Sequence, residues 1–306
     1  MAGVEKYTLR ELEKLIKEGA KFRLFKPFMH NGQILFNIEK MLNEKDILRM
    51  EGKVFGPIEV VPAVEHNVDD KIRTAIIENS IKILKTSTLF NLNETHHLDF
   101  TKRKECEKLL EGIINGNSHL AQKLLEIYQY SKKLFIHSIN VGIIATVIDL
   151  GIQEKRKIHN ALRSEELLTG ALLHDVGFLK LPKTMAEKKR IEYDNKEKEL
   201  YKQYPVESKK IVEDLGTNIR SKTIEIIAQH QERLAGTGFP EGLKGNKIEE
   251  LALVVGLADD FDLIMAKELS SQQKPASEVM SKMSRAANIF GNEIVDSFYT
   301  WFRYLK

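Results

Sequence analysis

Beyond Asn117 the chain repeatedly sets a histidine or an aspartate into an otherwise apolar helical stripe, and few folds accommodate that pattern. In the segment beginning at Leu134, residues Leu134, Val141 and Ile144 share one helical face, with His137 among them. Leu167, Ala171 and His174 form a second stripe; Asp175 follows directly, and Gly177 is placed to end that helix. Thr223, Ile226, Ile227 and His230 make a third, just before a glycine-containing loop. In the fourth, Ile248, Ala252, Val255, Asp259 and Asp262 are spaced four, three, four and three. The pattern predicts an all-helical domain with polar groups aimed into its core.

Taken alone, His137 reads as a core histidine bonded to a neighbour, and Asp259 as a helix cap or one half of a salt bridge. Burying Asp175 in apolar company is costly unless a cation or several donors meet it. Four helices, each offering an inward ligand, turn the reading toward a metal centre. Imidazole nitrogens with carboxylate oxygens suit iron, manganese, zinc or nickel and disfavour Cu(I) or a calcium cage. Cys106 is the single cysteine, which excludes an internal disulfide and a cysteine-rich zinc site and fits a reducing compartment.

A length of 306 residues suggests two domains, and 42% hydrophobic with 30% charged residues is a globular composition. Before residue 115 short apolar stretches, Phe22 to Phe25, Gln33 to Phe36 and Ile58 to Val61, alternate with turn signals, and Asn31-Gly32 suggests a hairpin. Helical pieces are expected at Leu9 to Ile16 and Ile38 to Met50. The period turns helical from residue 68, and the two glycines and two asparagines between Glu111 and Asn117 mark a boundary. The expectation is therefore a mainly α chain: a small α+β domain over 1–115, then an all-helical domain over 116–306 with helix stops at Gly151, Gly177, Gly216 and Gly236. Phe290, Ile294, Phe298 and Trp301 read as a packed stripe near the C-terminus.

A formal charge of +3 without long like-charge blocks predicts no nucleic-acid polymer as partner. Charges interrupt the apolar residues of the first 22 positions, and apolar runs elsewhere fall short of a membrane span, so no membrane association and a cytoplasmic location are expected.

The order of these motifs resembles the HD-GYP branch of the HD phosphohydrolases, metal-dependent phosphodiesterases of cyclic di-GMP, over roughly residues 120 to 306. HDVG from His174, HQERLAGTGFPEGLKG from His230 and the segment around Asp259 carry the resemblance. The run from His230 reads as a variant of the family signature His-His-Glu-x-x-Asp-Gly-x-Gly-Tyr-Pro. Residues 22 to 61 loosely resemble the small domain that often precedes this one.

The resemblance implies that His137, His174, Asp175 and Asp259 bind metal, with Asp175 bridging two ions and His174 and Asp175 at the catalytic centre. Tyr204, His230 and Gln231 stand where further ligands are found, Tyr204 just before a helix expected to start at Pro205. Two divalent or mixed-valence ions are implied, iron first and manganese as the alternative. They would lower the pKa of a bound water that attacks the phosphodiester of cyclic di-GMP or a related nucleotide.

Several positions depart from the family. Phe178 replaces a lysine that could hold a phosphate, a contact worth about 1.5 to 3 kcal/mol. Ala235 replaces the signature aspartate and Phe239 its tyrosine, while Gly236, Gly238 and Pro240 keep the turn chemistry. The stretch from Ala266 to Met280 lacks the family's arginines. Three functions stay open: a divergent dinuclear phosphodiesterase; a catalytically weak or inactive metal- and nucleotide-binding signalling module; and a phosphohydrolase of the wider HD superfamily, which needs one ion. The second would act through partners such as a diguanylate cyclase (GGDEF-type) domain, with the loop from Leu234 to Gly245 as an exposed contact surface.

Overall fold

The computed structural model describes residues 4–30, 33–36, 42–54, 56–62, 70–86, 100–215, 219–271, 283 and 286–302. Two compact units divide at Asn67/Val68.

In the first unit β1 (Glu5–Tyr7), β2 (Phe22–Leu24) and β5 (Ile58–Pro62) make an antiparallel sheet ordered β1-β5-β2. Phe22 and Leu24 alternate inward on one strand and Ile58 and Val60 on its neighbour, as the period of two demands. They bury against Leu12 of α1 (Leu9–Lys17) and Ile47 and Met50 of α2 (Glu44–Met50). Both helices start in a capping box, Thr8 with Glu11 and Asn43 with Asp46. The expected hairpin forms between β3 (Phe28–His30) and β4 (Gln33–Phe36), while Phe22–Leu24 pairs with β5 instead. Asn31-Gly32 lies outside the described residues, as do 38–41 of the expected second helix and Gly216; the described part of that helix begins only after the Asn43 cap.

The second unit is helical, as the periodicity predicts. Helices α3 (Asp70–Thr86) and α4 (Phe100–Gly116) belong to it, so the compact units divide well before the expected boundary at 115/116. Gly112 and Asn115 lie within α4, Gly116 ends it, and Asn117 caps the next helix by accepting from Leu120 N at the start of α5 (Ser118–Tyr130).

At the centre runs α6 (Lys132–Lys155), buried on nearly every side. By length and composition it is long and apolar enough to cross a membrane, although polar residues such as His137 and Asp149 interrupt its apolar run; 78% of its most apolar window is buried in the protein core. Against it pack α3, α5, α7 (Ala161–Leu173), α11 (Glu250–Ser271) and α13 (Asn292–Phe302), while α10 (Ser221–Gln229) lies against α7 and α11, and α9 (Asn195–Glu213) against α10. A short α8 (Lys183–Glu187) precedes α9, and α12 (Ala287–Phe290) is separated from α13 by Gly291 at φ 99°. Phe290, Ile294 and Phe298 are buried as expected, with Phe302 rather than Trp301 completing the stripe.

Two expected helix stops are packing sites instead. Gly151 lies within α6, where a Cβ would strike Trp301 and Ser297 of α13. At Gly177, within a 3-10 turn over Val176–Lys180, a Cβ would land on the carbonyl of Tyr204 and 2.7 Å from Ser208 N. α7 has already ended at Leu173, and no left-handed glycine is needed. Nor does the α9 helix begin at Pro205: Asp194 caps it eleven residues earlier, and Pro205 sits inside it without an N–H to donate.

Candidate metal centre

Each inward stripe delivers its polar group to one place. His137 comes from α6, His174 and Asp175 from the turn after α7, His230 from the end of α10 and Asp259 from α11; all are buried. His137 Nε2 lies 3.1 Å from Asp259 Oδ1 and 3.5 Å from Asp175 Oδ2. Asp175 Oδ1 lies 3.4 Å from His174 Nε2 and 4.0 Å from His230 Nε2. Two groups bring their ligand atoms within 4.8 Å of one another: His137, His174 and Asp259; and His174, Asp175 and His230.

The far side of each imidazole fixes its tautomer. His174 Nδ1 is 2.7 Å from Ala171 O, His230 Nδ1 2.7 Å from Ile227 O, and His137 Nδ1 2.7 Å from Asp262 Oδ2. Carbonyls and carboxylates accept, so each Nδ1 carries the donated proton and each Nε2 can offer a lone pair inward, the usual support for a metal-bound histidine. His137 Nε2, His174 Nε2 and Asp175 Oδ1 have no hydrogen-bond partner although fully buried. Orphaned buried polar atoms cost about 1–3 kcal/mol each, and a shared divalent cation removes that cost. The residues present fit an ion held by two imidazoles and two carboxylates.

The electrostatics agree. Burial pushes Asp175 and Asp259 up, yet His174 and His137 beside the first, and Arg190 and His137 beside the second, hold both carboxyls below their usual range. Burial pulls His137 down, but Asp259 and Asp262 outweigh it and push the imidazole up to about 10, so a proton competes with metal for Nε2. Burial and His174 pull His230 down to about 3, leaving it neutral.

Tyr204 and Gln231, expected as ligands of a second ion, are engaged with their neighbours. Burial pushes the Tyr204 phenol well above its ordinary pKa, so it is no phenolate. Its Oη lies 2.6 Å from His230 Nε2 and donates to it. Gln231 Nε2 donates to Tyr204 Oη at 2.9 Å and to Asp259 Oδ2 at 2.6 Å. The carboxylate accepts only, which turns the amide nitrogen, not the oxygen, toward the centre.

Three contributors were not singled out from sequence. Asp262, seen as part of the α11 stripe, orients His137 and is itself held by Asn140 at 2.9 Å. Arg190, in a 3-10 turn, reaches 3.3 Å from Asp259 Oδ1, with its guanidinium over the Tyr201 ring. Glu232 shapes the loop after His230 by accepting from the backbone N–H groups of Glu241, Gly242 and Leu243 at 2.7, 3.1 and 2.9 Å. Glu232 matches the Glu of the signature read from His230, whereas nothing in a linear pattern marks Arg190.

Within that loop Gly236 takes φ 74°, and at Gly238 a Cβ would meet the backbone of Gln231 to Arg233, so both glycines serve the turn. Phe239 is half-buried against Tyr201, 5.5 Å between centroids, rather than displayed. Ala235, Thr237, Glu241 and Lys244 are the exposed positions, which corrects the expectation of an exposed Gly, Phe and Pro surface. Phe178, where a lysine was missed, is buried 4.8 Å from the Tyr204 ring.

Fold and centre together define an all-helical domain with a buried histidine–aspartate site for a divalent metal. A family model described as HD domain matches residues 120–294, and the chain belongs to that family. It is 32% identical over 132 residues to the cyclic di-GMP phosphodiesterase PdeB of Borreliella burgdorferi, covering 42% of this chain and 32% of that protein. With the cyclic di-GMP phosphodiesterase of Thermotoga maritima it shares 25% identity over 253 residues, 78% of this chain and 67% of the relative. The chain thus spans between about a third and two thirds of these relatives' lengths. A solved structure, Bd1817, an HDG"Y"P protein from Bdellovibrio bacteriovorus, aligns with TM-score 0.48 and 17% identity over 93% of this chain and 94% of that chain. The relatives support the HD-GYP resemblance.

Proposed function

We propose that this protein is a divergent metal-dependent phosphodiesterase acting on cyclic di-GMP or a related cyclic dinucleotide. One observation carries the reading: His137 Nε2, His174 Nε2 and Asp175 Oδ1 converge, buried and unpartnered, beside Asp259. Relatives named as cyclic di-GMP phosphodiesterases favour that substrate. Iron is the preferred metal and manganese the alternative, since the nitrogen and oxygen donors suit both.

His137, His174, Asp175 and Asp259 would hold the ion, which when bound polarises a phosphoryl oxygen and lowers the pKa of its water. The protein's own part is orientation. Asp262 and the carbonyl of Ala171 fix the rings of His137 and His174, and Ser208 ties the HD turn to α9 by accepting from Gly177 N at 2.8 Å and donating to His174 O at 2.9 Å. A lone Cys106 fits a cytoplasmic setting for such chemistry.

A second reading is favoured by Phe178, which puts an aromatic wall where a phosphate-holding cation was expected. In it the domain binds metal and nucleotide but signals through a partner, such as a diguanylate cyclase domain. The two are separated by incubating iron- or manganese-loaded protein with cyclic di-GMP and following linear product, with His174→Ala and Asp175→Ala as controls. Turnover lost in both variants supports the phosphodiesterase. Metal-loaded protein that binds the nucleotide without cleaving it supports the signalling module.

A further inference from the structure

Donor counting around Tyr204 bears on how many cations this centre holds. Ile227 O takes the Nδ1 proton of His230, so Nε2 of that ring has one lone pair, and the Tyr204 hydroxyl, 2.6 Å away, donates into it. The phenol oxygen in turn accepts from Gln231 Nε2, whose other hydrogen goes to Asp259 Oδ2. The chain of bonds is closed. His230 has no pair left for an ion, Gln231 offers no oxygen, and Tyr204 is fixed on both sides. Three of the residues that would form a second metal site satisfy one another, whereas the orphaned atoms sit on His137, His174 and Asp175.

A positive charge is nevertheless present beside that site. The Arg190 guanidinium, stacked over Tyr201 at 4.9 Å, gives one N–H to Asp259 Oδ1. Its side chain keeps 27% of its surface exposed, so its remaining donors face solvent at the edge of the metal centre. A planar guanidinium with several free N–H groups matches two oxygens of a phosphodiester. Phe178 supplies no such charge.

We propose that the centre takes a single metal ion, on His137, His174, Asp175 and Asp259, and that Arg190 acts in place of a second cation by binding a phosphodiester oxygen of the substrate. The ion count stands on the hydrogen bonds alone; the phosphate role rests on the phosphodiesterase reading above.

Metal analysis of protein loaded with excess manganese or iron and then desalted tests the first part. About one equivalent per chain is expected, rising toward two in Tyr204→His/Gln231→His. Two equivalents in the unaltered protein, falling to one in His230→Ala, would overturn it.

The second part uses bis(4-nitrophenyl) phosphate, a simple phosphodiester, so that a failure on cyclic di-GMP does not decide it. Arg190→Ala should raise the KM for this probe, or its inhibition constant if it is bound but not cleaved, by about ten- to a hundredfold at unchanged metal content. Arg190→Lys should recover part of that loss. An unaltered constant in Arg190→Ala, or metal lost along with Arg190, would overturn the assignment, the latter because Arg190 would then serve only to hold Asp259.

Discussion

His137 Nδ1 lies 2.7 Å from Asp262 Oδ2, and the other oxygen of that carboxylate is held by Asn140 at 2.9 Å. One turn of α11 therefore carries both a candidate ligand, Asp259, and the group that aims a second ligand from α6. Such outer partners typically govern metal affinity by about 10- to 100-fold. Asp262→Ala should weaken metal binding by that range in competition with a chromophoric chelator, and Asn140→Ala by less. Unchanged affinity in Asp262→Ala would show that packing alone aims His137.

Chelation should lower the thermal midpoint. An ion present at a hundred times its Kd stabilises the folded state by about 2.7 kcal/mol, provided the unfolded chain does not bind it. Thermal unfolding with and without chelator checks this, and His174→Ala should be insensitive to the chelator.

Without metal, stability should depend on pH on both sides of neutrality. His230 is pulled down to about 3, so between the ordinary histidine value and pH 3 the unfolded chain binds a proton that the folded one refuses. Stability falls as pH drops through that window, by roughly 1 kcal/mol per unit. Asp175 and Asp259, held low, add their own loss in the acid part of it. His137, pushed up to about 10, works oppositely: its contribution is complete below the ordinary histidine value and is lost as pH rises toward 10. Urea unfolding in chelator from pH 4 to pH 10 should give a maximum near neutrality. A profile flat above pH 7 would remove the His137 part of the argument.

Gly177→Ala places a Cβ on the Tyr204 carbonyl and should cost about 1–3 kcal/mol, because backbone must move apart. Gly112, exposed within α4 with nothing within 4 Å of a built Cβ, gives the contrast: Gly112→Ala should stabilise by about 0.4–1 kcal/mol. Chemical denaturation of the two variants side by side checks the sign of each.

Glu232→Gln should loosen the loop it anchors. A neutral amide cannot accept all three N–H groups of Glu241, Gly242 and Leu243 as the carboxylate does. Faster hydrogen exchange at those amides, with metal content unchanged, is the expected result; equal exchange would mean that the turn glycines hold the loop unaided.

The helical unit and the inward aim of His137, His174, His230 and Asp259 were legible in the sequence, because a helix face is a local property that a period of 3.6 writes into consecutive residues. Asp175 was legible for the same reason, as the residue after a periodic stripe. The interior of the first unit followed similarly from Phe22, Leu24, Ile58 and Val60, alternating with period two. Tertiary packing decided everything that depends on two distant segments meeting. Gly151 and Gly177 read as helix stops, yet their lack of a Cβ is used against α13 and α9, which no local pattern announces. Tyr204 pairs with His230 across 26 residues and Arg190 with Asp259 across 69, so the closed hydrogen-bond chain and the extra charge exist only once α9, α10 and α11 are brought together. Periodicity says which way a side chain points; what it finds there is set by the elements packed opposite.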